Sequence, residues 1–304
     1  MGGMNIHPLA RPYFFRGRKA GCLLIHGFTG SPSELLPLAE YLAGCGYAVA
    51  APLLAGHGTC LEDLSRTSWQ EWLDSARRGL KQLADEPVEK LFFLGLSMGG
   101  LLALLLAAEA EARQAESKVF YGKGAPKPLG GAVTINSPIW FKDRRVRWAF
   151  LLQAGEAFFL RRGGVPKGNG GSFSLAGENC LPGGGAGSGR GTSSAGEDPW
   201  RELRFAYTNT SPRSLVQLLR VIGCARRSLP RVKAPVLVVQ SKSDETVEPR
   251  SAEYIYRCLG SEKKQLLWVE EAPHVLPLDA AAGEQVFPRI ASFIEEQIKD
   301  GRAM

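Results

Sequence analysis

The chain has 304 residues, 44% of them apolar and 22% charged, with a formal net charge of +7. That is enough apolar chain for a full buried core, which excludes global disorder and a small stapled scaffold. The basic excess has no run of five or six like charges and no recognition motif, and its densest cluster is Lys142–Arg147. A solvated basic surface is expected, with no nucleic-acid partner.

The six cysteines (Cys22, Cys45, Cys60, Cys180, Cys224 and Cys258) form no C-x-x-C pair and have no histidine at ligand spacing, so neither a metal site nor a disulfide framework is expected. The first twenty residues carry no apolar signal core, and Ile6 stands where a myristoylation signal has Ser or Thr. Free thiols and a cytoplasmic location are the expectation.

In chain order, apolar runs alternate with helical periodicity. Strands are predicted at 21–26, 46–54, 90–96, 131–136, 234–240 and 264–270; most are continuously apolar, as in strands covered on both faces. A helix is predicted from Ser31 to Gly44, with Leu35, Leu38, Ala39 and Leu42 on one face. A second places Trp69, Trp72, Leu73, Ala76, Leu80 and Leu83 on one stripe, and a last one Val286, Ile290, Phe293, Ile294 and Ile298. The residues 91–108 carry no charge and reach the lower limit of a membrane span. The glycines in their middle predict a strand, a tight turn and a buried helix, with no membrane insertion.

The alternation fails between about 139 and 230. An aromatic and basic stretch is followed by 163–196, where thirteen of 34 residues are glycine. Such a segment buries too little apolar surface to offset its ordering entropy, so a mobile loop is expected over about 163–198. A helical pattern from Ser211 to Leu229 closes the region. The expected organisation is a mostly parallel, doubly wound α/β core formed by 1–138 and 231–304, with a cap inserted at 139–230.

Gly95-Leu96-Ser97-Met98-Gly99 reads G-x-S-x-G between a predicted strand and a predicted helix. In that context the glycines permit a sharp turn that presents the Ser97 hydroxyl, and the helix start aims N–H groups at the same place. A serine nucleophile needs a base. Of the four histidines (His7, His26, His57 and His274), only His274 follows Ser97, as the order serine, acid, histidine of α/β-hydrolases requires. Asp244 is the first carboxylate after the strand at 234–240 and is the candidate acid that orients the imidazole. Glu245 and Glu248 are its near rivals, and Asp143 and Glu156 are poorer ones. The backbone N–H groups of Met98 and of Phe28, in the loop "HGFTG", are candidate oxyanion donors. His26 is expected to brace that loop, and His57 to be structural.

On these residues the chain resembles the α/β-hydrolase superfamily, and within it the small microbial carboxylesterases and monoacylglycerol lipases. The similar segments are "LLIHGFTGSPSELLPLAEYLAGCGYAVAAPLLAGHG", "SWQEW", "LGLSMGG", "PVLVVQSKSDETVEPRSAEYIY" and "HVLPLD". The resemblance implies a Ser97, Asp244 and His274 triad with Phe28 and Met98 as oxyanion amides, and no metal or organic cofactor. The long glycine-rich stretch departs from the compact cap of such proteins. Trp140, Trp148, Phe150, Phe158 and Phe159 either line an apolar acyl pocket or seat the cap on the sheet.

The expected activity is hydrolysis of a small-molecule ester with an apolar acyl chain, through an acyl-enzyme. Thioester cleavage or acyl transfer by the same residues is the second reading, since the cap selects the acceptor. A non-catalytic binding or membrane-surface module is the third. The sequence sets no oligomeric state.

Overall fold

The apolar runs pair into a single seven-stranded sheet in a computed structural model that describes residues 6–115, 127–143, 146, 202 and 204–300. In chain order the strands are β1 (Tyr13–Phe15), β2 (Gly21–Ile25), β3 (Ala48–Ala51), β4 (Leu91–Leu96), β5 (Leu129–Ile135), β6 (Val236–Ser241) and β7 (Lys264–Val269). Their spatial order is β1-β3-β2-β4-β5-β6-β7. Every pair is parallel except β1 with β3, where Tyr13 faces Ala51. β1 carries no sequence signal because three residues are too few to show a period.

Every residue of β2, β3, β4 and β6 is buried. That accounts for their continuous hydrophobicity: helices cover both faces, so neither face needs polar side chains. Successive side chains point to opposite faces. Leu91 and Phe93 of β4 therefore join one core cluster, and Phe92, Leu94 and Leu96 join the other.

The helices are α1 (Leu36–Gly44), α2 (Leu61–Arg66), α3 (Trp69–Ala84), α4 (Met98–Ala115), α5 (Pro212–Ser228), α6 (Arg250–Cys258) and α7 (Ala280–Asp300). α2 to α6 pack on the first face, α1 and α7 on the second. The stripes read from the sequence are the buried ones: Trp72, Leu73, Ala76, Leu80 and Leu83 in α3, and Val286, Ile290, Phe293, Ile294 and Ile298 in α7. Trp69 is only partly buried. Ser68 starts α3 with a capping box that includes Glu71.

The helix predicted from Ser31 to Gly44 is divided. Pro32–Leu35 form a 3-10 turn, and α1 starts after it. Pro37 lies in the first turn of α1, where its missing N–H costs no helical hydrogen bond. The charge-free stretch 91–108 is β4 followed by α4, and among the described residues no helix is long and apolar enough to cross a membrane.

Candidate active site

Ser97 stands between β4 and α4 with φ of 53°. The side chains at 95 and 99 must be absent for this turn to form. A Cβ on Gly99 would collide with the Ile25 carbonyl oxygen, and one on Gly95 with the backbone of Gly99. The turn is then pinned by backbone bonds. The Ser97 N–H donates to the Ile135 carbonyl (2.7 Å), and the Ser97 carbonyl accepts from the Gly100 N–H (3.1 Å) and the Ser137 hydroxyl (3.0 Å). The residue is 8% exposed, so the hydroxyl sits at the floor of the site.

β2 ends beside it. A Cβ on Gly27 would be 3.5 Å from the Ser97 Cβ, which places the loop 26–30 against the serine. His26 braces this loop: its Nε2 accepts from the Leu54 N–H (3.1 Å), which leaves Nδ1 as the donor to the Gly27 carbonyl (2.9 Å). Burial, and then the neighbouring His57, hold the His26 imidazole well below its ordinary value, so the ring stays neutral. His57 is pushed down to about 4, chiefly by burial. Its ring lies against Phe28 and Trp72, with centroids 6.4 and 5.7 Å away.

His274 follows β7. Its Nδ1 lies 2.8 Å from Asp244 Oδ2. A carboxylate oxygen accepts, so Nδ1 carries a proton, and in the neutral ring Nε2 is then the nitrogen with the lone pair. Asp244 follows β6, is 0% exposed, and is fully engaged. Its Oδ1 accepts from the N–H groups of Thr246 (2.7 Å) and Val247 (2.8 Å), and its Oδ2 also accepts from Gln240 Nε2 at 3.4 Å. The rivals do other work. Glu245 accepts from the His274 backbone N–H (3.1 Å), and Glu248 pairs with Arg250. Asp244 is thus the carboxylate brought to the imidazole ring.

Three residues that the sequence reading passed over organise these loops. Asn136, directly after β5 and at φ 47°, donates from Nδ2 to the His274 carbonyl (2.9 Å) and accepts at Oδ1 from the Ser241 N–H (2.8 Å). It ties the ends of β5 and β6 to the histidine loop. The available signal was its place, a polar residue ending an apolar strand. Glu34 and Arg204 form the other unforeseen pair, with Glu34 3% exposed and Arg204 Nη2 2.9 Å from its Oε1.

Among the aromatic residues assigned to a pocket or cap, Trp140 is partly buried, edge-on to Tyr254 (5.2 Å), with the Arg250 guanidinium over its ring at 4.8 Å. Trp148, Phe150, Phe158, Phe159 and the glycine-rich loop lie outside the described residues.

Comparison with known proteins agrees with this architecture. The chain is 31% identical over 274 residues to a thermostable monoacylglycerol lipase of Bacillus sp. (strain H-257), covering 89% of this chain and 88% of that protein. It is 27% identical over 269 residues to a carboxylesterase of Bacillus subtilis (strain 168), covering 88% and 90%. A solved structure from work on LipS and LipT, two metagenome-derived lipolytic enzymes, superposes with a TM-score of 0.69 at 29% identity, over 96% of this chain and 100% of that one. Residues 22–288 match the model of the alpha/beta hydrolase family, and the chain belongs to that family.

Proposed function

We infer that the chain is a carboxylic-ester hydrolase that works through an acyl-enzyme on Ser97. The observation that carries this is the pairing of a buried Asp244 with His274 Nδ1 at the same end of the parallel sheet as a serine held at positive φ. His274 Nε2 takes the Ser97 proton as Oγ attacks the ester carbonyl, and Asp244 stabilises the imidazolium. The N–H groups of Met98 and Phe28 receive the oxyanion. The proton on Nε2 then passes to the leaving alcohol. Water, activated by the same nitrogen, releases the acid. Every proton transfer is between residues of this chain, substrate and water.

The named activities of the relatives, monoacylglycerol lipase and carboxylesterase, support an ester with an apolar acyl chain as substrate. For its location we keep the reducing cytoplasm, on the ground that the cysteine spacing matches no disulfide framework.

The test is hydrolysis of p-nitrophenyl esters of increasing acyl length by the wild type and Ser97→Ala. Loss of a triad nucleophile lowers kcat by about 10⁶. A wild type with a chain-length optimum and an inactive variant support the assignment. Equal activity in the variant overturns it.

A further inference from the structure

The loop 26–30 is held only partly from within: His26 Nδ1 donates to the Gly27 carbonyl (2.9 Å), the Thr29 hydroxyl to the Phe28 carbonyl (2.6 Å) and the Gly30 N–H to the Gly27 carbonyl (3.3 Å). Thr29 has φ of 66°, a conformation that a β-branched residue adopts only under constraint. A further constraint comes from 204–207, within the region 139–230 expected to form the cap. The Tyr207 N–H donates to the Thr29 carbonyl (2.9 Å), the Ser31 hydroxyl donates to the Phe205 carbonyl (2.8 Å), and the Phe205 N–H donates to the Ser33 hydroxyl (3.1 Å). Tyr207 is itself fixed, donating its hydroxyl to the Gly56 carbonyl (3.1 Å) and accepting from the Thr59 N–H (2.8 Å).

At the centre is one carboxylate. Glu34 Oε1 accepts from Arg204 Nε (3.0 Å) and lies 2.9 Å from its Nη2. The other oxygen, Oε2, fills the concave side of the loop. A Cβ on Gly30 would overlap it, and one on Gly27 would be 3.6 Å from it. The backbone that carries Phe28 is therefore folded around Glu34.

We propose that Glu34, anchored by Arg204, is a positioning residue that holds the Phe28 amide in register with Ser97 and couples it to the segment 204–207. The proposal rests on the reading of 26–30 as the oxyanion loop. Burial raises the Glu34 carboxyl above its ordinary value, although Arg204, His274 and the Gly27 amide all favour its charged form. A carboxylate with a raised value in the fold does not serve stability at neutral pH, whereas an electrostatic clamp on a reacting loop has a use for it.

The experiment uses the full chain, with p-nitrophenyl butyrate as substrate and a fluorophosphonate to count competent sites, so that kcat refers to folded enzyme. Glu34→Gln keeps the shape and removes the charge. Its kcat per site is expected to fall about tenfold or more, with KM within about twofold, because small misplacement of an oxyanion donor is felt in the transition state. Affinity for a phenylboronic acid, which forms a tetrahedral adduct on the serine, should fall by the same factor. Arg204→Met should reproduce the loss, and the double variant should be no worse than the worse single one. A Glu34→Gln enzyme with kcat and boronate affinity within twofold of wild type, or additive losses in the double variant, overturns the proposal. If Ser97→Ala abolishes activity while Glu34→Gln keeps it, only this inference fails; if Ser97→Ala is active, the assignment of the site fails first.

Discussion

Acid should loosen the wall of the site, and His57 sets the size of the effect. Its ring is 1% exposed, donates from Nδ1 to the Ala55 carbonyl (3.1 Å), and is pushed down from 6.5 to about 4 by burial. The folded state therefore resists protonation while the unfolded chain accepts it. Stability is fully present above about pH 6.5, falls as pH drops, and stops falling on this account below about 4. A difference of 2.5 units at about 1.36 kcal/mol each gives a loss of about 3 kcal/mol. Against a typical stability of about 5–15 kcal/mol this is a large share. His26, its ring 5.0 Å away and also held down, acts in the same direction. In His57→Asn the amide can replace the Nδ1 donor without titrating. Urea unfolding followed by tryptophan fluorescence, from pH 7.5 to 4.0, gives the test. The variant starts less stable, and the gap should close or reverse by about 3 kcal/mol at the acid end. Carboxylates titrate alike in both proteins and cancel in the difference. Two parallel curves of stability against pH would refute this account of His57.

Two substitutions probe the other loops. Asp244→Asn keeps a side chain able to accept from Thr246 and Val247 but no longer fixes the imidazole tautomer, so kcat on p-nitrophenyl butyrate should fall by about 10⁴ with KM little changed. Asn136→Ala leaves the buried Ser241 N–H without its acceptor and puts a Cβ-bearing residue with no stabilising side-chain bond at φ 47°; urea denaturation should show a loss of about 1–3 kcal/mol, of which Asn136→Gly restores only the backbone part.

The strands that carry the chemistry were legible because burial on both faces leaves no polar interruptions: the runs predicted at 21–26, 90–96 and 234–240 are β2, β4 and β6. Ser97 was legible for a local reason. Its turn needs glycine on both sides, and five consecutive residues declare it. Asn136 and the Glu34–Arg204 pair had no such signature. Glu34 and Arg204 are 170 positions apart, and Arg204 follows a region where periodicity fails, so only the fold brings them together. The choice of Asp244 over Glu245 and Glu248 was a matter of order along the chain, whereas in space it is a matter of which carboxylate has two backbone amides holding it toward the ring.

The parallel sheet explains why so distant a set of residues converges. β2, β4, β5, β6 and β7 lie side by side and point the same way, so each delivers its next loop to one edge. Loop 26–30, Ser97, Asn136, Asp244 and His274 follow these five strands in that spatial order. Three non-glycine residues with positive φ among the described residues lie in the connections that follow three adjacent strands: Thr29, Ser97 and Asn136. Such conformations cost of order 1–3 kcal/mol each. Each is held by a bond from a different element: Tyr207 on the Thr29 carbonyl, Ile135 on the Ser97 N–H, and Ser241 on the Asn136 side chain. Removing a holding bond should therefore release strain as well as lose a contact. On that ground kcat should fall in Asn136→Ala together with its loss of stability.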